Sequence, residues 1–284
     1  MKAAVTGTFD GVHLGHRFLL DALRSRAAER GLEPMVLTFN EHPLALMAPD
    51  RVPPELTAAA ARRRALLEAE GVEVEMLEFN EALRAMTAEE FLTMLNRRYG
   101  VELFLLGFNN RIGSDRAGAE SLAGRRIGGV EVVAASEHPE LLVSSSRIRL
   151  ALAEGNVEAA ARMLGRPFAI EGTVVSGRQL GRTIGFPTAN VEPAPNAAIP
   201  AVGVYAGRML GHKAVINVGR RPTVEGRTDA PLSIEAHLLD FSGDLYGRHV
   251  ELEFTRRLRG EQRFASLDEL KNAINKDVEL TRNL

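Results

Sequence analysis

The chain has 284 residues, 45% hydrophobic and 25% charged, and its 35 Lys and Arg nearly balance 37 Asp and Glu. That length accommodates two ordinary domains, and the charge balance gives no overall pull toward nucleic acid or an acidic membrane. Without cysteine, disulfides, thiolate metal sites and a cysteine nucleophile are excluded. No apolar run reaches the roughly 18 residues needed to span a bilayer, and Met1 to Gly7 carry no apolar segment of signal-peptide length. A cytoplasmic chain with no membrane or nucleic-acid partner is expected.

In chain order, Ala3 to Val5 reads as a buried strand leading into a turn rich in Gly and Asp. Phe18 to Arg30 has apolar residues at helical spacing, and Met35 to Phe39 reads as a second strand. Ala58 to Glu70 is helical, Val72 to Leu77 and Leu103 to Leu106 are strands with helix Ala88 to Arg98 between them, and Val130 to Ala134 is a fifth strand. Alternating strands and helices predict a parallel sheet covered on both faces, a Rossmann-like α/β domain over residues 1–150.

Helices at Ser146 to Ala153 and Val157 to Leu164 bridge to the second half, with residues 151–166 as a helical linker. From 167 to 284 the strand-like runs follow closely: Ala169 to Val175, Gly203 to Met209, His212 to Val218, Leu232 to Leu239 and His249 to Leu258. Gly, Pro, Asn and Asp turns separate them, which fits a small antiparallel β-barrel, or a sandwich. Ser266 with Glu269 forms a capping box for a final helix through Leu270, Ile274 and Val278.

Two segments carry chemistry. Gly7-Thr8-Phe9-Asp10-Gly11-Val12-His13-Leu14-Gly15-His16 follows the first strand and opens a helix, where ligands of open α/β sheets bind. Its glycines let the backbone approach a phosphate, and a helix start aims free N–H groups at that anion. His13 and His16 can donate ring N–H groups to a leaving pyrophosphate. A His-x-x-His pair alone also fits a plain turn or a metal site.

The second segment runs from Gly172 through Gly177, Gly181 and Gly185 to Phe186-Pro187-Thr188-Ala189-Asn190. Glycines at intervals of four suit an open loop whose N–H groups wrap phosphate oxygens. The side-chain oxygens of Thr188 and Asn190 can share a hard cation such as Mg²⁺. A Gly/Pro-rich strand connection has the same spacing. Alternation along Ser233 to Phe241 puts Glu235, His237 and Leu239 on one face, and a carboxylate there can take the proton of an attacking hydroxyl or serve as a surface ion-pair partner.

Gly7 to His16 resembles the G-x-F-D-G-x-H-x-G-H segment of bacterial FAD synthetases, nucleotidyltransferases with an H-x-G-H motif. Val143-Ser144-Ser145-Ser146-Arg147-Ile148-Arg149 resembles their second phosphate motif, although hydroxyls in this position also serve as simple helix caps. Gly181 to Asn190 resembles the G-R-x-x-G-F-P-T-A-N stretch of riboflavin kinases. The segments Asn217 to Thr223, Ser233 to Phe241, Asp244 to Gly247 and Leu258 to Phe264 continue that likeness.

The chain thus resembles the bifunctional riboflavin kinase/FAD synthetases over most of its length. The resemblance implies that riboflavin and ATP give FMN and ADP, and that FMN and ATP then give FAD and pyrophosphate. It implies ATP or phosphate binding by Gly7, Phe9, Asp10, Gly15, Asn109, Ser144, Ser145, Ser146 and Arg149 in the adenylyltransferase, with His13 and His16 catalytic. In the kinase it implies ATP or phosphate binding by Gly177, Gly181, Arg182, Gly185, Thr188 and Asn190. Thr188 and Asn190 would also hold Mg²⁺, Glu235 would be the base, and Arg259 would contact the flavin.

Departures fall on the acceptor side: Glu41 stands where a proline is usual, and Asn110 and Ile112 stand where aromatic rings are usual. They leave open a riboflavin kinase whose N-terminal domain is inactive or takes another acceptor. A non-enzymatic flavin- or RNA-binding barrel is the reading from a different class, and the charge balance argues against RNA.

Overall fold

The computed structural model describes residues 1–107, 110–135, 143–177, 180–220 and 232–284, with the side chains of Leu180 and Arg182 left aside. Asn109, the Arg182 side chain and Arg221 to Thr223 therefore lie outside the described residues. The described chain forms two packing units, residues 1–53 with 59–143, and residues 54–58 with 144–284.

The first unit contains β1 (Lys2–Thr6), α1 (Leu14–Arg30), β2 (Glu33–Phe39), α2 (Ala60–Glu68), β3 (Glu73–Leu77), α3 (Ala88–Tyr99), β4 (Val101–Leu106), β5 (Arg126–Ile127) and β6 (Val130–Ala134). Single-turn helices and loops join them. The strand order is β3-β2-β1-β4-β6-β5. Every pairing is parallel except the β5–β6 hairpin at the edge, whose two-residue strand is too short to be read from periodicity.

Alternation sends successive side chains to opposite faces, and both faces are apolar. Ala3, Val5, Val36, Leu103 and Leu105 meet Leu20 and Leu23 of α1 and Leu67 of α2. Ala4, Met35, Leu37, Phe104 and Leu106 meet Phe91, Leu92 and Leu95 of α3. A sheet buried on both faces needs continuous apolar strands, as these are. α3 starts in a capping box in which Thr87 accepts from the Glu90 N–H and Glu90 accepts from the Thr87 N–H. The strand order turns around between β1 and β4, so the loops after these strands diverge and open a crevice at their carboxyl ends.

The second unit begins with α4 (Ser145–Ala153) and α5 (Val157–Leu164), which pack on each other, with α5 also against the barrel. The barrel comprises β7 (Phe168–Val175), β8 (Ala189–Pro193), β9 (Gly203–Met209), β10 (His212–Arg220), β11 (Leu232–Leu238) and β12 (His249–Arg259), and α6 (Leu267–Arg282) ends the chain. All pairings are antiparallel, and the order β10-β11-β8-β7-β12-β9 closes on itself. Phe168, Ile170, Ile216, Ala236, Leu252 and Phe254 fill the interior. The barrel is therefore the arrangement adopted, which removes the free edges that a sandwich keeps.

Two local expectations change. The segment 181–190 is not wholly an open loop. Leu180–Thr183 makes a helical turn, and Ala189 and Asn190 already belong to β8. The turn tolerates Gly181 because the Phe186 carbonyl packs so closely against it that a side chain would clash. The short strand escaped detection because Thr188 to Pro193 lacks the β-branched alternation that marks longer strands.

Candidate active sites

In the first unit the loop after β1 is tightly folded. Phe9 and Val12 take left-handed backbone conformations, φ 48° and 39°, which are costly for side chains of this size and concentrate at functional loops. Tertiary contacts hold them: both are buried, and the Phe9 ring packs on Gly7 and lies 5.0 Å from the His16 ring. Phe9 thus shapes the loop with its ring, while Asp10 is also buried.

His13 and His16 cap α1 reciprocally. His13 Nδ1 accepts from the His16 N–H at 3.3 Å, and His16 Nδ1 accepts from the His13 N–H at 3.4 Å. Their rings stack at 3.7 Å, 13° from parallel. Since each Nδ1 accepts, the neutral form of either ring carries its proton on Nε2. Burial pushes the His16 imidazole well below its ordinary value, and the adjacent His13 adds to the shift. Gly15 leaves room for this stack, because a Cβ there would stand 3.1 Å from His13 Cε1.

Around the crevice, Asn110 donates from Nδ2 to the carbonyl of Thr6 at 2.9 Å, tying the loop after β4 to the end of β1. Ile112 is buried in the core. His42 Nδ1 accepts from the Leu44 N–H at 3.1 Å. Arg63, buried on α2, donates to the carbonyls of Phe39 and Asn40 at 2.6 and 3.2 Å and so fixes the exit from β2. The Val143 carbonyl lies beside Gly15.

The next residues belong to the second packing unit. Ser144 is the N-cap of α4, its Oγ accepting from the Arg147 N–H at 3.3 Å, and Ser145 and Ser146 occupy the first turn. Arg149 donates from Nε to the Pro54 carbonyl at 2.7 Å.

On the barrel, the outer face gathers the other predicted residues. The sequence alternation holds: Glu235 and His237 are half-buried and Leu239 is buried beside Val204, Val215 and Val278. Asn190 of β8 stands directly opposite Glu235 of β11. Thr188 donates its hydroxyl toward Glu235 Oε2 at 3.4 Å. Gly177 backs the Asn190 amide so closely that a side chain there would overlap it. His237 donates from Nδ1 to the Pro187 carbonyl at 2.8 Å, and its ring meets Phe186 edge-on at 5.6 Å. A groove of about 450 Å³ opens there, lined by Phe186, His237, Leu239, Phe241 and Val278 among others.

Arg259 is not presented to this face as a free cation. Its Nε lies 3.0 Å and its Nη2 2.9 Å from Asp277 Oδ2 on α6, and its Cζ sits 5.6 Å from the Phe264 ring centre. Sequence reasoning missed Asp277, because a helical aspartate gives no sign of a partner 18 residues away.

An α/β module with a Gly- and His-bearing loop at its sheet's turning point, followed by a barrel carrying Thr, Asn and Glu on one face, fits a nucleotide-dependent transferase of two modules. Sequence profiles agree in both halves: FAD synthetase matches residues 1–147 and riboflavin kinase matches residues 164–284. A bifunctional riboflavin kinase/FMN adenylyltransferase of Escherichia coli K12 is 42% identical across 97% of this chain and 90% of its own. The protein of that description from Bacillus subtilis is 35% identical, covering 95% and 88%. A crystal structure of a Streptococcus pneumoniae protein described as a macrolide-efflux protein superposes with a TM-score of 0.87 at 33% identity, over 100% of this chain and 94% of that one. The chain belongs to the bifunctional riboflavin kinase/FMN adenylyltransferase family. An N-terminal half without activity is not favoured by these relatives. Among the described residues no helix is long and apolar enough to cross a membrane.

Proposed function

We propose that the barrel phosphorylates riboflavin with ATP to FMN and ADP, and that the α/β module joins FMN to ATP, giving FAD and pyrophosphate. We assign adenylyl transfer to residues 1–150 and the kinase to residues 167–284, joined by residues 151–166. The observation that carries the kinase assignment is the meeting of Thr188, Asn190 and Glu235 on one outer face of the barrel.

In the kinase, Glu235 accepts the proton of the flavin's primary hydroxyl as that oxygen attacks the γ-phosphorus, and ADP leaves. The backbone around Gly177, Gly181 and Gly185 cradles the phosphates, and Arg182 adds charge. The groove beside Phe186 and His237 takes the purine ring, since aromatic and apolar walls favour a planar base. Arg259 acts on the flavin side through the segment that follows it.

Thr188 and Asn190 would hold Mg²⁺. With the nearby Glu235 they offer only oxygen donors, as this hard ion requires, and Mg²⁺ on a nucleotide takes few protein ligands. Among the described residues no group of three or more His, Asp or Glu side chains is placed to hold a metal. When bound, the ion neutralises charge on the transferring phosphates.

In the adenylyltransferase, the FMN phosphate attacks the α-phosphorus of ATP. The Nε2–H groups of His13 and His16 and the N-terminus of α1 stabilise charge on the phosphates as pyrophosphate departs. Gly7, Phe9, Asp10 and Gly15 shape the loop, and Asn109, Ser144, Ser145, Ser146 and Arg149 complete the nucleotide contacts. The reading includes a cytoplasmic location, where ATP is supplied.

A chromatographic time course from riboflavin, ATP and Mg²⁺ tests the whole scheme. FMN should rise first and FAD after it, and EDTA should stop both. FMN without FAD would remove the adenylyltransferase assignment.

A further inference from the structure

The register of the barrel aligns Asn217 with the kinase residues. Asn190 on β8 pairs with Glu235 on β11, and Glu235 pairs in turn with Asn217 on β10. Directly paired residues point to the same face, so the three polar side chains form one row across three neighbouring strands. On β10 the flanking Ile216 and Val218 are buried in the barrel while Asn217 is exposed outside. The next outward position is Gly219, which adds no side chain to the row. A Cβ there would lie 3.2 Å from Asn217 Nδ2 and 3.7 Å from Glu261 Oε1. Gly219 is itself buried, and the segment after β12 reaches the same spot through Glu261.

We propose that Asn217 binds the polyol chain of the flavin acceptor, holding a secondary hydroxyl beside the primary hydroxyl that Glu235 deprotonates. This deepens the kinase reading and rests on it. Side chains directly opposite on adjacent strands stand about 5 Å apart, close enough for two of them to converge on different hydroxyls of one polyol laid across the strands. The chemistry divides accordingly. A carboxylate only accepts and suits the hydroxyl that must lose its proton. An amide donates and accepts, and suits a hydroxyl that stays protonated. The row thus discriminates a polyol-bearing flavin from one with a plain alcohol chain.

The test compares the wild-type chain with Asn217→Ala on riboflavin and on a flavin whose side chain keeps the terminal hydroxyl and lacks the secondary ones. On riboflavin the substitution should raise KM by about tenfold, with a smaller change in kcat and none in the KM for ATP. On the deoxygenated analogue the two proteins should be equal, which also shows the variant to be folded. Equal losses on both acceptors, or no loss on riboflavin, would overturn the inference. A wild-type chain that makes no FMN would overturn the kinase reading itself, and this inference with it.

Discussion

His13 and His16 cap each other across the first turn of α1, each Nδ1 accepting the other's backbone N–H, with the rings stacked 3.7 Å apart. The arrangement commits the Nδ1 of each ring to the helix start. The helix cap and the proposed catalysis therefore draw on the same pair of side chains.

His13→Ala removes a cap and a donor together. The lost cap should cost about 1 kcal/mol, and the lost donor should lower FAD formation by on the order of 10²-fold. FMN formation from riboflavin should be unchanged, because Thr188, Asn190 and Glu235 are untouched. Separate assays with riboflavin and with FMN check this, and a parallel loss in both would break the assignment of the two reactions to separate modules.

The depressed His16 pKa fixes a pH dependence. Unfolded, this imidazole titrates at its ordinary 6.5, while in the folded chain burial and His13 hold it lower. Below the ordinary value the unfolded state binds more protons, so stability is full above it and declines as pH falls from there toward the folded value. His16→Asn should flatten that slope. Denaturation midpoints of the two proteins between pH 5 and pH 8, with proton NMR of His16, provide the measurement; a titration at the ordinary value would contradict it.

Glu235→Gln keeps the shape of the side chain and removes the base. FMN formation should fall by on the order of 10²- to 10⁴-fold. FAD formation from supplied FMN should remain. Thermal unfolding should change little, since the carboxylate is half-buried and its contact with Thr188 is long at 3.4 Å. Unchanged phosphorylation would remove Glu235 as the base.

Asp277→Ala strands the Arg259 guanidinium in a largely buried position, with side-chain exposures of 20% for Arg259 and 4% for Asp277. Breaking such a pair from one side should cost about 3 kcal/mol, and replacing both partners by apolar residues should cost less. Chemical denaturation of the single and double variants decides this. A double variant as unstable as Asp277→Ala would mean that the loss comes from packing and not from the stranded charge.

The sequence by itself determined most of the elements and singled out the candidate phosphate-binding residues. Period-two and helical patterns are local, as are capping signals such as Ser266 with Glu269, although only half of that box forms: Ser266 Oγ accepts from the Glu269 N–H at 3.2 Å, while the Glu269 carboxylate accepts from the Ala265 N–H at 3.0 Å and not from Ser266. A phosphate loop is equally local, since its chemistry lies in consecutive backbone groups. Glu235 and His237 were placed on one face by alternation alone.

Tertiary structure decided what depends on register and on distant partners. Nothing local to Asn217 says that it stands opposite Glu235; that follows from the pairing of β10 with β11 in a closed barrel. Asp277 finds Arg259 only because α6 packs back beside the end of β12. The two histidines mark the boundary between these cases. Their spacing in the sequence announced a site, while the stacked rings and the burial that lowers His16 come from Phe9 and the folded loop around them. Local interactions can be read from neighbouring residues, but charge, tautomer and alignment are set by what the fold brings from elsewhere.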